Sequence, residues 1–265
     1  MMHEDFSKYN GEGTILRNAQ LRILEILVEV DRICTENDIS YWLDYGTLLG
    51  AVRHRGFIPW DDDVDIAVPR KDYKRLCAIL KEKLPANLTF QDETTDKRYF
   101  LKFAKVRDLH SFLDDPIMQN KGIKEHGLYI DIFPLEKLFS KNLKTFIEYI
   151  YGNAFKRYRK FYPGTSKYIS GVILMPFAVC FIQLVRFFSW LIPTQRYYTG
   201  CGVPFYYRHT YHTRFIFPLT TIEFEGYRFK APCNTDLYLK NIYGDYWKIP
   251  PEEKRITHAD TIEIF

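Results

Sequence analysis

Four aspartates fall within five positions of the segment WDDDVDIAV, residues 60–68: Asp61, Asp62, Asp63 and Asp65. Read as a strand, this segment puts Asp63 and Asp65 on one face, because side chains alternate with a period of two. Val64 and Ile66 then point the other way, towards a core. Two carboxylates about 7 Å apart by strand rise repel each other and hold their charges poorly unaided. A hard, oxygen-seeking cation, Mg²⁺ or Mn²⁺, relieves that repulsion and makes Asp63 and Asp65 candidate metal ligands. A solvated acidic turn is the structural alternative, and the dense run of acids between Trp60 and Val64 argues against it.

The elements that must position these acids lie just upstream. Ile39–Leu43 alternates as a short strand. Gly46-Thr47 permits a tight turn into a brief apolar helix, Leu48 to Val52. His54-Arg55-Gly56 ends that helix, and Pro59 fixes the approach to the aspartate strand. At a helix start, Gly46 and Thr47 offer a backbone N–H and a hydroxyl to a phosphate. Arg53 offers a guanidinium fork to phosphate oxygens. His54 is open to two readings, phosphate contact or loop structure. Trp60 either stacks on a nucleobase or packs beneath the aspartate strand.

Two later strands bear on the same chemistry. Tyr99–Arg107 alternates with Phe100, Lys102, Ala104 and Val106 on one face and Leu101, Phe103, Lys105 and Arg107 on the other. Lys102 and Lys105 therefore diverge, and Lys105 or Arg107 is the cation assigned to substrate. In Leu128–Leu135, Ile130 and Ile132 face one side and Asp131 the other, beside Tyr129. A lone carboxylate in so apolar a strand is costly unless its charge has a use; capping the next turn is the alternative.

The order strand, Gly-Thr, short helix and Asp-x-Asp on the next strand resembles the nucleotidyltransferase fold. The longer string GTLLGAVRHRGFIPWDDDVDIAV, with IDIFPL and the tail YGDYWKIPPEEKRITHAD, is similar to the LicD family, the bacterial phosphocholine transferases related to fukutin. The resemblance spans most of the chain and is strongest over 41–68 and 128–135. It implies an α/β (α+β) fold, a mixed sheet with helices packed on it. It also implies Asp131 as a third acid beside Asp63 and Asp65, all three catalytic and metal-holding. The reaction it implies moves phosphocholine from CDP-choline to a sugar hydroxyl of a surface glycan: lipopolysaccharide, teichoic acid or capsule. Ribitol or glycerol phosphate from a CDP donor is the second reading, and nucleotide transfer releasing pyrophosphate the third. Outside catalysis, the readings are a nucleotide-binding regulator or an envelope-assembly factor seated on membrane.

The rest of the chain bounds these readings. With 265 residues it can bury a sizeable core as one domain. The excess of 37 basic over 33 acidic residues is too small to indicate nucleic acid. Five scattered cysteines without a CxxC pair read as reduced thiols in the cytoplasm. The polar, acidic start MMHEDFSKYNGEG reads as no secretory signal. No GxSxG, Walker A or HExxH string competes.

Amphipathic helices are expected over Ile15–Cys34, with a stripe of Leu16, Ala19, Ile23, Leu27, Val30 and Cys34, and over Lys71–Leu84. Leu88–Gln91 reads as a strand. A helical insertion is placed at about 141–192. Its first part has a basic end at Lys156, Arg157, Arg159 and Lys160. Its second, 168–192, is the most apolar run of the chain. Pro176, Gln183 and Arg186 interrupt that run, so it reads as a buried helix pair or a membrane-surface segment rather than a single span. The basic cluster and Arg196 suit anionic headgroups at the inner face of the cytoplasmic membrane, where a lipid-linked acceptor is met. Gln195–Phe217 reads as a long aromatic loop, either enclosing a trimethylammonium group or forming an apolar lid. Ile222–Ala231 reads as a hairpin turning at Glu225-Gly226, and Asn234 as the cap of a helix through Tyr243.

Overall fold

The structure, a computed structural model, describes residues 5–99, 101–114, 122–138, 142, 147, 149–150, 152–154, 157, 164–192, 197–199, 209–257 and 261–265. The N-terminal half carries α1 (Ser7–Asn10), α2 (Ile15–Glu36), β1 (Trp42–Leu43), α3 (Tyr45–His54), β2 (Asp65–Pro69) and α4 (Arg70–Lys83). β3 (Leu88–Gln91), β4 (Ala104–Asp108), β5 (Ser111–Leu113) and β6 (Tyr129–Leu138) follow. The remainder holds α5 (Ser166–Leu191), β7 (Tyr197–Thr199), β8 (Tyr211–His212) and α6 (Thr213–Ile216), then β9 (Thr220–Phe224), β10 (Tyr227–Ala231), α7 (Thr235–Tyr243) and β11 (Ile262–Ile264).

The main sheet runs β1-β2-β6-β4-β3, extended by β7 and β8 from the far end of β6. β2 and β6 are parallel, and the other neighbours are antiparallel. This is the expected mixed sheet with helices packed on it. β9–β10 and β5–β11 form separate two-stranded pieces.

α2 starts where the Thr14 hydroxyl accepts the Arg17 N–H. Its stripe of Leu16, Ala19, Ile23, Leu27, Val30 and Cys34 is buried, and from Ala19 onward it joins Ile66, Val106 and Ile132 of the sheet in the main core. α3 begins three residues earlier than its apolar run predicts. The cause is Asp44, whose Oδ1 accepts the Tyr45 N–H and caps the helix; Gly46 and Thr47 therefore lie inside the first turn. The helix ends at His54 because Arg55 turns left-handed, with φ 58°. A Cβ on Gly50 would stand 2.4 Å from the Gly56 carbonyl oxygen, so only glycine lets the returning chain lie against α3. Residues 57–64 form a loop, and β2 begins at Asp65.

That loop is clamped by the β9–β10 hairpin. Glu225 (φ 52°) and Gly226 (φ 79°) are both left-handed, as a two-residue type I′ turn requires. The Glu225 carboxylate accepts the Phe57 N–H at 3.1 Å and pairs with Arg17 at 2.7 Å. Asn234 caps α7 by accepting the Leu237 N–H.

Four expectations are corrected. The aspartate strand starts only at Asp65, so Asp63 lies in the loop before it and does not share a strand face with Asp65. Strand character in Tyr99–Arg107 starts at Ala104; Tyr99 closes a turn on the Asp96 carbonyl, and Phe100 lies outside the described residues. Gln195–Phe217 contains β7, β8 and α6, because β6 runs on to Leu138 and offers Glu136–Leu138 as an edge for β7; 200–208 lie outside the described residues. The apolar run is one helix that continues through Pro176, with no second helix of a pair in it. Of the basic cluster, Lys156, Arg159, Lys160 and also Arg196 lie outside the described residues. Arg157 lies within them and donates to the Ser170 hydroxyl.

Replacing Gly50 with alanine is expected to cost about 1–3 kcal/mol, the usual cost of overpacking. Denaturant unfolding of Gly50→Ala checks this, and unchanged stability would show that the 56–58 chain yields freely.

Candidate active site

Strand register gathers the charged side chains. Asp65 of β2 stands opposite Asp131 of β6, and Asp131 stands opposite Lys105 of β4. The three form a row on one face, with neighbouring strands about 5 Å apart. The ladder extends to the residue before Asp65, since the Asp131 N–H donates to the Val64 carbonyl at 2.7 Å. Asp63 therefore sits at the mouth of β2, in the loop just before the strand. The Lys105 Nζ donates to Asp131 Oδ1 at 2.5 Å and lies 3.3 Å from the centroid of the Tyr129 ring. Both partners are buried, at 2% and 7% exposure.

Two helices hold the row from the β1 side. The Asp65 N–H donates to the Thr47 hydroxyl at 2.8 Å, tying the start of β2 to the first turn of α3. A Cβ on Gly46 would come 2.8 Å from Asp61 Oδ2, so glycine admits the Asp61 carboxylate to the helix start. The Asp44 N–H donates to the Asp65 carbonyl at 3.0 Å. Fully buried Asp44 also accepts from the Tyr238 hydroxyl of α7 at 2.7 Å, and that hydroxyl accepts the Trp42 indole N–H. Asp44 Oδ2 is buried without a hydrogen-bond partner. Asp44 is a residue that the sequence reading missed. The available signal was an Asp directly before Tyr45-Gly46, where a helix N-cap belongs.

The acids repel one another. The Asp65 carboxyl is pushed well above the ordinary range, first by burial and then by the charges of Asp63, Asp131, Asp44 and Asp61. Burial pushes Asp44 up to about 7. Burial lowers Lys105, while the neighbouring Asp131 opposes that shift. The charges of Asp65, Asp44, Asp61 and Asp63 also bear on the Tyr243 hydroxyl, placing this α7 residue at the edge of the acidic cluster. Among the described residues, no three His, Cys, Asp or Glu side chains converge closely enough to hold a metal unaided. The donor set fits Mg²⁺ in the looser mode that ion commonly uses, one or two carboxylates with substrate phosphate oxygens and water.

The other residues singled out in the sequence divide into two groups. Arg107 shares the face of Lys105, one step along at Tyr129, and is locked by Gln91 Oε1 at 2.6 Å and the Gly127 carbonyl at 2.7 Å. Arg53, two helical turns beyond Gly46 and so on the same side of α3, donates to the Tyr246 carbonyl and to His54 Nε2. His54 is pushed down to about 4 by burial and the Arg53 charge, which leaves a neutral ring against Phe6. Trp60 is 7% exposed and packs against Phe6, Tyr9 and the Arg255 guanidinium. His54 and Trp60 thus sit together under the N-terminal segment. Of the aromatic stretch, Tyr211 is buried and stacked on Tyr238 at 4.1 Å, a core role.

With this geometry, residues 38–184 match the family described as LicD/FKTN/FKRP, nucleotidyltransferase domain. The chain belongs to the LicD family. It is 30% identical over 259 residues to the lipopolysaccharide cholinephosphotransferase LicD of Haemophilus influenzae, covering 92% of this chain and 95% of that protein. Over 139 residues, 51% of each chain, it is 32% identical to the uncharacterized protein RP689 of Rickettsia prowazekii. A 34-residue stretch is 53% identical to the human ribitol 5-phosphate transferase FKRP, 13% of this chain and 7% of that one.

Lys105→Met would take the ammonium away from buried Asp131 and leave that carboxylate beside other acids. A loss of about 3–5 kcal/mol is expected in metal-free buffer, and Asp131→Asn in the same chain should restore most of it. Additive losses in this double-mutant cycle would mean that the pair is not coupled.

Proposed function

We propose that this LicD-family chain is a metal-dependent phosphotransferase. It moves an alcohol phosphate from a CDP-activated donor, phosphocholine from CDP-choline, to a sugar hydroxyl of a cell-surface glycan. The similarity along nearly the whole length of a lipopolysaccharide cholinephosphotransferase carries this reading, and the Asp65–Asp131–Lys105 row supports its phosphate chemistry. In this reading the enzyme works in the cytoplasm at the inner membrane face, where a lipid-linked acceptor is met.

Asp63 and Asp65 would hold Mg²⁺ or Mn²⁺, with Asp131 at the edge of the set. Bound there, the ion supplies positive charge for the donor's phosphate oxygens. Asp131, paired with the Lys105 ammonium, orients the acceptor hydroxyl and takes its proton. The acceptor oxygen bonds to the phosphorus that carries the alcohol. The bond from that phosphorus to the bridging oxygen breaks, and CMP leaves with the electron pair. Arg53 lies on the side of α3 that begins at Gly46, and its guanidinium would meet donor phosphate there. Thr47 fixes the start of β2 and so the spacing of Asp65 from the helix start.

Ribitol phosphate is the second reading, favoured by the short match to a ribitol 5-phosphate transferase. The same acids serve either alcohol.

The test is purified protein with Mg²⁺, a panel of CDP-alcohols and nucleoside triphosphates, and the nucleotide product as readout. CMP from CDP-choline is expected, with Asp63→Asn and EDTA each reducing it at least about 100-fold. CMP from CDP-ribitol or CDP-glycerol alone moves the donor to the second reading. Pyrophosphate from a triphosphate without CMP from any CDP-alcohol overturns the phosphotransferase reading. Undiminished turnover by Asp63→Asn removes the metal role.

A further inference from the structure

The far end of β2 and β6 carries a feature that the transfer reaction leaves unused. The two strands run in parallel from Asp65 and Asp131 to Pro69 and Leu135, about 13 Å along the strand direction. There a cavity of about 340 Å³ opens between the start of α4 and the last turns of α5.

Its lining holds four cationic side chains, Arg70, Lys71, Lys137 and Arg186, with one carboxylate, Glu136, and Lys71 also lies 4.0 Å from Asp72. Arg70 Nε and Arg186 Nε both donate to Glu136 Oε1, each at 2.7 Å, so two guanidinium groups share one buried acid. The 14-residue helix α4 begins at this cavity, and no side chain caps its N-terminus. A second observation is independent of charge. The Ser189 hydroxyl of α5 lines the cavity, is 4% exposed and has no hydrogen-bond partner. A buried hydroxyl left unsatisfied is costly and calls for a polar ligand.

α5 adds the other half of the chemistry. Its inward stripe, Gly171, Ala178, Ile182, Val185 and Ser189, is buried, and Ala178, Ile182 and Val185 cluster with Leu138 of β6. Between Ile169 and Leu191 the one charged residue, Arg186, is turned inward to Glu136. The outward face is left without charge. Phe177, Phe187, Phe188 and Trp190 are each more than half exposed there, among seven other exposed large apolar side chains of the helix. That is far beyond the single exposed apolar residues of an ordinary surface. A second copy of the chain would cover the apolar face but has no use for a cationic cavity. A small anion would use the cavity but not the face. An anionic amphiphile uses both.

We propose that this cavity binds the phosphate headgroup of a membrane amphiphile whose apolar chains lie along the outer face of α5. The helix then rests in the membrane interface instead of crossing it, since its inner stripe and Arg186 stay docked on β6. The proposal is independent of which group the catalytic site transfers.

Co-sedimentation of the full chain with vesicles tests it, using phosphatidylcholine alone and phosphatidylcholine mixed with phosphatidic acid. Tighter binding to the acidic vesicles is expected, falling about fivefold for each lysine removed in Lys71→Gln and Lys137→Gln. Ser189→Leu, which removes the hydroxyl and narrows the cavity, should lose the headgroup preference and keep binding to neutral vesicles. Phe177→Asp with Trp190→Asp should lose both. CMP release in solution should be unchanged in all of these variants, so failure of the catalytic reading is scored separately. Equal binding to both vesicles, or full headgroup preference in folded Ser189→Leu, overturns the cavity. Complete competition by inorganic phosphate reduces the site to a small-anion site and overturns the amphiphile. A dimer dispersed by Phe177→Asp, with no vesicle binding, shows instead that a second copy covers the face.

Discussion

The charge row across β2, β6 and β4 is the constraint on which the site depends. Asp131 is buried with an ammonium 2.5 Å away, and Asp65 stands on the next strand with no comparable cation in the row. A lone buried carboxylate costs several kcal/mol, so Lys105 makes Asp131 tolerable. Among the described residues no ion pair of this kind is seen at Asp65, whose proton affinity is raised by burial and four neighbouring acids. The row thus holds one carboxyl that calls for a proton or a cation, on the face where a cation and a phosphate would arrive together.

Much of the surrounding architecture serves to hold that carboxyl in place. Parallel pairing of β2 with β6 sets Asp65 beside Asp131, and the Thr47 hydroxyl pins the first N–H of β2. Asp44 ties α3, α7 and β1 together through Tyr45, Tyr238 and Trp42. The hairpin contributes from a distance, because Glu225 at its turn fixes Phe57 and Arg17 and so the loop carrying the aspartates. Gly46 and Gly50 supply the close approaches that let this loop return against α3.

Local patterns were legible in the sequence where one interaction decides the outcome. The α2 stripe, the Asn234 cap, the Glu225-Gly226 turn and the limits of β3 follow from periodicity, capping and turn chemistry within a few residues. Alternation also put Lys105 and Arg107 on one face and Asp131 beside Tyr129, as the register has them. Alternation could not tell which strand neighbours which, so the Lys105–Asp131 pair was invisible despite both residues being singled out. Asp44 was missed because its weight comes from Tyr238, 194 residues away. The aromatic stretch read as a loop because β7 exists only where the end of β6 offers an edge. The single helix α5 was obscured by Pro176 and Arg186; the latter's charge is neutralised at Glu136, a partner that no local pattern reveals.

The most direct test of the row is thermal unfolding with and without divalent metal. In EDTA, Asp65→Asn should melt above the wild-type chain at neutral pH, because the amide avoids the cost of either charging or protonating a buried acid whose proton affinity is raised on folding. Added Mg²⁺ or Mn²⁺ should raise the wild-type midpoint with concentration, as any ligand of the native state does, and leave Asp65→Asn nearly unmoved. A wild-type midpoint indifferent to metal, or equal shifts in both proteins, would contradict the account of Asp65 as a carboxylate held in place for a cation.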